Sequence, residues 1–211
     1  IWQAALLLAA FSAVRALPEG ARRPVSMGLA AAAFTHFVGF TLALHNPLWS
    51  AQAVGPTLLA NWLLFAYLTA LAALWFARRL WHGILSIVAT AIDAVTMALI
   101  ALLALSLLRQ AFAGSVLTAG AIGQTESLLI SLLGIVLALG FLWWGSRSDR
   151  RSWRIGSLVL MLGAVIKVFL IDAAGLEGLL RIASFMALGF SLIGIGWVYT
   201  RQLSRRQAAS G

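Results

Sequence analysis

Seven long hydrophobic segments, separated by short polar stretches, run through the 211 residues of this chain. Several of them reach the roughly 20 residues that an α-helix needs to cross a hydrocarbon core of about 30 Å. Within lipid, each segment has to satisfy its own backbone hydrogen bonds, and this selects helices. The pattern therefore predicts an all-α, polytopic transmembrane bundle of about seven membrane helices, over residues 1–17, 25–44, 58–76, 84–108, 128–145, 155–171 and 180–200.

The composition supports a membrane class. Hydrophobic residues make up 62% of the chain and charged residues only 10%, whereas a soluble domain carries about 25% charged residues. The first segment starts at Ile1 without a methionine, already inside an apolar run, and looks truncated. We expect residues 1–211 to form a single transmembrane domain and to be the C-terminal portion of a longer protein.

The positions of the arginines orient the helices. Twelve of the 15 basic residues fall in alternate loops and in the C-terminal tail, as cytoplasmic anchors do. These twelve are Arg15, Arg22, Arg23, Arg78, Arg79, Arg147, Arg150, Arg151, Arg154, Arg201, Arg205 and Arg206. The C-terminus is therefore predicted to be cytoplasmic. The net charge of +9 does not indicate a nucleic-acid partner, because no basic face with interleaved aromatic residues is present.

Three helices end alike on the predicted cytoplasmic side, as LWFARR (74–79), LWWGSR (142–147) and GWVYTR (196–201). Either the chain contains repeated helical hairpins, or aromatic rings and arginines gather there because both favour the membrane interface.

Most of the remaining polar residues converge on the opposite, outward-facing side. The candidate polar cluster there, with Arg109 beside it, consists of Lys167, Asp172, Arg181, Glu126, Glu177, His45 and Asn61. Glu177 and Arg181 are spaced i, i+4 and would pair on a helical turn. The cluster is either a binding site or a structural clamp between helices six and seven.

Lys167 lies deeper than the rest, roughly 7 to 8 Å inward of Asp172 at a rise of about 1.5 Å per residue. An unpaired lysine near a helix centre is costly, so it should reach outward or find a carboxylate. In an α-helix Asp172 is about 140° around from Lys167, which makes direct pairing awkward. Glu126 or Asp93, on other helices, would be equally good partners.

Asp93 and His36 are the other ionisable residues at membrane depth. We expect Asp93 to be protonated, paired or exposed to a wet cavity, because a bare carboxylate is penalised there. For His36 the favoured interpretation is a neutral ring that is hydrogen-bonded between helices.

Motifs for known chemistry are absent from the sequence. There is no cysteine, no Walker-type loop, no HExxH, no GxSxG and no pair of histidines at i, i+4. No cofactor, no metal site and no identifiable catalytic residue are predicted.

The C-terminal stretch KVFLIDAAGLEGLLRIASFMALGFSLIGIGWVYTRQ, residues 167–202, resembles the end of a family of large bacterial multi-pass membrane proteins, domain of unknown function 2339. The matching positions are Lys167, Asp172, Leu176, Gly178, Arg181, Ser184, Phe185, Gly189 and Tyr199. The resemblance implies a long helix array in the bacterial inner membrane. It implies no substrate, cofactor or catalytic residue.

Three functions follow as hypotheses. The first is transport or flipping of an anionic envelope or lipid-linked substrate, received by the outward-facing cluster, because charge at membrane depth suggests a pathway. The second is an accessory or scaffold subunit of a membrane complex, which would have its charges paired internally. The third is an outer-leaflet transferase or hydrolase using Glu126, His45 or Asp172, which requires these side chains to converge.

Overall fold

The computed structural model describes residues 2–58, 61–80, 86–172 and 179–208. Over these residues the chain is helical, and the only β pairing is an isolated bridge between Ala53 and Val116. The predicted all-α fold is confirmed. The helices are α1 (Trp2–Ala16), α2 (Glu19–His36), α3 (Trp62–Leu80), α4 (Ser86–Ala113), α5 (Gln124–Arg147), α6 (Arg151–Lys167) and α7 (Leu179–Ala208).

Four helical stretches are long and apolar enough to cross a membrane, judged by length and composition. They are Glu19–Leu44, Ser86–Ala113, Gln124–Arg147 and Arg151–Asp172. Large apolar side chains on their surfaces, such as Leu139 and Trp143, are exposed. Exposed apolar surface on this scale suits a hydrocarbon environment, so the chain is a helical membrane protein.

The start of α2 differs from the prediction. The hydrophobic segment 25–44 predicts that this helix begins at residue 25, after Pro24. In the structure Pro18 is the N-cap, α2 begins at Glu19, and Pro24 lies inside the helix. Pro24 is the sixth residue of α2, beyond the first N–H groups that have no helical partner, so the helix continues without a hydrogen bond from residue 24 to the Gly20 carbonyl.

Two helices continue as π-helix, at Phe37–Leu44 after α2 and at Val168–Asp172 after α6. A π-helix bonds each residue to the fifth one on, so its turns are wider than those of an α-helix. The amide of His45 still donates to the Phe40 carbonyl at 2.9 Å in this manner. This change of periodicity determines where the side chains beyond it lie.

The chain divides into two compact units, residues 1–161 and 162–211. In the first unit a buried cluster contains Phe37, Tyr67 and Leu99, with the rings of Phe37 and Tyr67 in edge contact at 5.1 Å. In the second unit the rings of Phe169 and Phe185 lie 5.8 Å apart. That residues 1–211 form one domain stays a prediction.

Two glycines in the first unit lie where a neighbouring helix passes closely. A Cβ on Gly145 would lie 2.8 Å from the Trp153 Cβ and 3.0 Å from the Arg154 backbone nitrogen. A Cβ on Gly156 would meet only the flexible tip of Met97. The α5–α6 hairpin thus depends on Gly145 more than on Gly156.

We expect Gly145→Ala to destabilise the fold by about 1–3 kcal/mol, because backbone atoms would have to move. Gly156→Ala should cost less, because the Met97 side chain can adopt another rotamer. Unfolding of the purified protein in detergent measures both values. Equal losses in the two variants would contradict the difference in packing.

Candidate functional site

An ion pair joins the end of α4 to the start of α5 on the predicted outer side. The Arg109 Nη1 donates to the Glu126 Oε2 at 2.6 Å, and both side chains are buried. Glu126 lies in the first turn of α5, where a negative charge is also favoured by the helix dipole.

The rest of the Arg109 guanidinium is held by the loop that connects the two helices. Its Nε donates to the Leu117 carbonyl, and its Nη2 donates to the carbonyls of Ala119 and Gly120. Gly120 has φ +73 and Gly114, directly after α4, has φ +75, a conformation that favours glycine. The two glycines let the loop turn back so that its carbonyls face the arginine.

A second polar link joins the start of α3 to the end of α4. The Asn61 Nδ2 donates to the Gln110 Oε1 at 2.7 Å, and the Gln110 Nε2 donates to the carbonyls of Gly55 and Thr57. Asn61 also accepts from the Leu64 amide on its Oδ1 at 2.6 Å, as an N-cap of α3 does. We call Asn61, Arg109, Gln110 and Glu126 the outer polar network.

Six buried side-chain polar atoms of the first unit make no hydrogen bond with any residue that the structure describes. Three of them are the Tyr67 hydroxyl, the Asn46 Nδ2 and the Glu126 Oε1. The Tyr67 hydroxyl lies beside the side chains of Asn46 and Ser106, all of them fully buried. Buried polar atoms of this kind are usually satisfied by water or by a ligand.

Asp93 lies in a cluster on the opposite, predicted cytoplasmic side. Its Oδ1 is 3.5 Å from the Arg78 Nε and 3.4 Å from the Arg150 Nη1, and its Oδ2 accepts from the Ser152 hydroxyl at 2.5 Å. The carboxylate is buried, whereas the two arginines are partly exposed. Of the states expected for Asp93, the structure therefore contains the paired one. We call Arg78, Asp93, Arg150 and Ser152 the Asp93 cluster.

Lys167 pairs with Asp172 within the second unit. The Lys167 Nζ lies 2.9 Å from the Asp172 Oδ1 and 3.2 Å from its Oδ2. On an α-helix these residues would point about 140° apart. The segment Val168–Asp172 is π-helical, and its wider turn brings the fifth residue back below the first.

The two candidate histidines, His36 and His45, are not part of these clusters in the described residues. His45 is exposed, its ring stacks on Phe40 at 4.2 Å, and its Nδ1 lies 3.2 Å from the Phe40 carbonyl. The His36 ring also stacks on Phe40, at 5.4 Å, and its buried Nδ1 has no hydrogen-bond partner in the described part of the chain. A ring contact thus takes the place of the expected interhelical hydrogen bond of that nitrogen.

Of the predicted outward cluster, the structure pairs Glu126 with Arg109 and Lys167 with Asp172, whereas Asn61 contacts Gln110. Glu177 lies outside the described residues, and Arg181 is described only as part of α7. The predicted pair between Glu177 and Arg181 stays a prediction.

Several residues that take part in these and other buried polar contacts were not predicted from the sequence. Gln110, Tyr67, Ser106 and Ser152 are neutral residues inside or beside apolar runs, and a single sequence gives no depth or direction for them. Gln3 of α1 is another: it donates to the Thr41 hydroxyl and accepts from Thr69 of α3. One feature of the sequence could have indicated some of them: a glutamine or an asparagine inside a membrane segment needs a polar partner.

Comparison with known proteins gave one match. A family model described as "Predicted membrane protein (DUF2339)" matches residues 1–202. The match extends the resemblance of residues 167–202 to nearly the whole chain. Neither the search of curated proteins nor that of solved structures returned a match.

Proposed function

This chain belongs to the DUF2339 family of predicted membrane proteins, and we propose that it acts as a structural subunit that organises a larger assembly in the bacterial inner membrane. The proposal departs from the transport hypothesis that the outward-facing charges favoured. The observation that supports it is that, among the described residues of that side, Arg109 is paired with Glu126 and Lys167 with Asp172. A cluster that binds an anionic substrate needs a cation with free donors, and Arg109 offers few.

The number of hydrogen bonds that Arg109 makes shows how few of its donors are left for a ligand. A guanidinium has five N–H donors, and the Arg109 group makes four hydrogen bonds, to Glu126 and to three loop carbonyls. An arginine held in this way stabilises the α4–α5 connection. Asp93 and Lys167 each have an opposite charge within 3.5 Å as well.

A structural subunit also needs a surface for its partner, and α7 is the candidate. A Cβ on Gly189 or Gly194 would meet no described atom within 4 Å. Glycines on a membrane helix let a second helix approach closely. Among the described residues of the second unit, no neighbour contacts these two glycines.

The test is purification from native membranes in a mild detergent after crosslinking. We expect a partner protein in a fixed ratio with the wild-type chain, and its loss with Gly189→Leu/Gly194→Leu. Gly140→Leu on α5 is the matched control, since a Cβ on Gly140 also meets open space, and it should retain the partner. A wild-type chain that purifies alone after crosslinking would exclude the proposal.

Transport of an anionic envelope or lipid-linked substrate remains the second candidate, because the Tyr67 hydroxyl, the Asn46 Nδ2 and the Glu126 Oε1 are buried without described partners. Tyr67→Phe removes only such an oxygen. A transporter that uses it should lose substrate movement in this variant, whereas a structural subunit should be unaffected. Lys167→Met and Asp172→Asn extend the comparison to the second unit.

The enzymatic hypothesis is the least supported of the three. His45 stacks on Phe40 at the surface, and the Glu126 carboxylate is engaged by Arg109. A general acid and base must lie within reach of one substrate. No described contact joins these two side chains.

A further inference from the structure

An apolar groove of about 470 Å³ lies between α2, α3 and α4 in the first unit. Five of its twelve lining residues are alanine, and the remainder are apolar or glycine. Ala30 and Ala73 form its floor and are almost fully buried, whereas Ala31 and Ala91 at its margin are exposed. The groove exists because small side chains from three helices meet where larger ones would have closed the space.

The charges near this groove lie at one end. Arg23 precedes the lining residue Met27 by four positions on α2, so it lies on the same face of that helix, one turn nearer the predicted cytoplasmic side. Arg78 directly follows the lining residue Ala77 on α3, and its side chain remains 27% exposed. Two arginines therefore flank the cytoplasmic end of a groove whose walls are otherwise apolar.

Arg78 retains capacity for a ligand although it belongs to the Asp93 cluster. Its Nη1 donates to the Ala89 carbonyl and its Nε faces Asp93. The two arginines of the cluster outnumber its single carboxylate, so the cluster keeps a net positive charge. An additional anion would be favoured there.

We propose that this groove binds one anionic phospholipid of the cytoplasmic leaflet, with an acyl chain along the alanine walls and the phosphate between Arg23 and Arg78. An apolar groove with cations at one end matches an amphiphile that has a negative headgroup. The volume falls within the range of about 300–1,000 Å³ that is typical of small-molecule sites.

This site is independent of the structural role proposed above, because it lies on α2–α4 and not on α7. The lipid would fill the space between three helices that touch only partly, as a bound cofactor does. Basic pockets between membrane helices on the cytoplasmic side are known to suit anionic headgroups.

The experiment measures lipid retention by native mass spectrometry after reconstitution in equal parts of phosphatidylglycerol and phosphatidylcholine. We expect one retained phosphatidylglycerol for the wild-type chain. Gly28→Leu/Ala31→Leu/Ala91→Leu should abolish retention by filling the groove, since a Cβ on Gly28 meets no described atom within 4 Å. Ala32→Leu/Ala94→Leu adds leucine on the same two helices outside the lining and should retain the lipid.

The proposed contact between Arg23 and the lipid phosphate is tested by a separate pair of variants. Arg23→Gln should weaken retention of phosphatidylglycerol about fivefold, since one arginine near an anionic surface contributes about 1 kcal/mol. Arg79→Gln removes the same charge from a side chain that lies over Trp75, 5.3 Å from the ring centroid, and should change retention little.

Three results would overturn the proposal. The first is equal retention by the groove-filled variant and its control. The second is equal retention of the two lipids by the wild-type chain. The third is an equal loss with Arg23→Gln and Arg79→Gln, which would indicate general surface charge.

The unfolding midpoint of every variant is measured in parallel, and Ala31→Leu alone replaces the triple variant if the latter is misfolded. Its side chain is at the margin of the groove, so it should lower retention without disturbing the floor.

Discussion

Replacing Arg109 with methionine is expected to lower the free energy of unfolding by about 3–5 kcal/mol, the largest loss for any single substitution considered for this chain. The change leaves the Glu126 carboxylate buried without its cation and removes the donors of three loop carbonyls. A single buried charge is penalised far more than a buried pair. Titration with a denaturing detergent, followed by the fluorescence of the nine tryptophans, measures the loss.

Two further variants distinguish the cost of the unpaired charge from the cost of the lost hydrogen bonds to the loop carbonyls. Glu126→Gln should cost less than Arg109→Met, because an amide oxygen still accepts from the guanidinium. Arg109→Met/Glu126→Met should recover part of the loss, since no charge is left unpaired. The recovery should be incomplete because the loop carbonyls remain without a donor. Arg147→Met, on an exposed arginine near Trp143, is the control and should be nearly neutral. Equal stability of Arg109→Met and Arg147→Met would exclude a structural role for the pair.

The second large effect is expected for Asp93→Leu. This change leaves Arg78 and Arg150 facing one another without a carboxylate and removes the acceptor of the Ser152 hydroxyl. We expect a loss near 3 kcal/mol, at the low end for a broken buried ion pair, because both arginines are partly exposed and can turn toward water. Hydrogen exchange at residues 148–152 should rise together with the loss.

Asp93→Asn is the conservative comparison. The amide keeps the shape of the side chain and can still accept from Ser152, so the loss should be about half that of the leucine variant. Asp149→Asn is the matched control in the same turn. The Asp149 side chain is 91% exposed and pairs with Arg154 at the surface. Asparagine also tolerates its φ of 50. No measurable loss is expected there, and a loss equal to that of Asp93→Asn would contradict the importance of burial.

The helices could be predicted from hydrophobic run length, because lipid allows only helices or closed barrels. All seven predicted segments overlap the helices α1 to α7. The error at Pro24 arose because a proline is unfavourable inside a helix but does not always end it, and α2 continues past Pro24 although one backbone hydrogen bond is lost. The run pattern could not show that α2 had already begun at Glu19.

Side-chain pairing was harder to predict than helices. Judged from the sequence, Lys167 has three acceptable partners, and the angle on an α-helix makes direct pairing with Asp172 awkward but possible. The π-helical segment that makes this pair direct depends on packing and leaves no mark in the sequence. Likewise, Arg78 and Arg150 are far apart along the chain, so only the tertiary structure shows that both reach Asp93.

The π-helical turn at Val168–Asp172 also has a consequence for how this protein can change in evolution. A π turn contains one residue more than an α turn, so deleting a residue between Lys167 and Asp172 would convert the segment to α-helix. The lysine and the aspartate would then be spaced i, i+4, the usual spacing of an ion pair on an α-helix. The same deletion in the middle of α5 would rotate the rest of that helix by about 100° and expose its buried face. Single-residue deletions should therefore be tolerated at this turn and eliminated by selection in the helices around it.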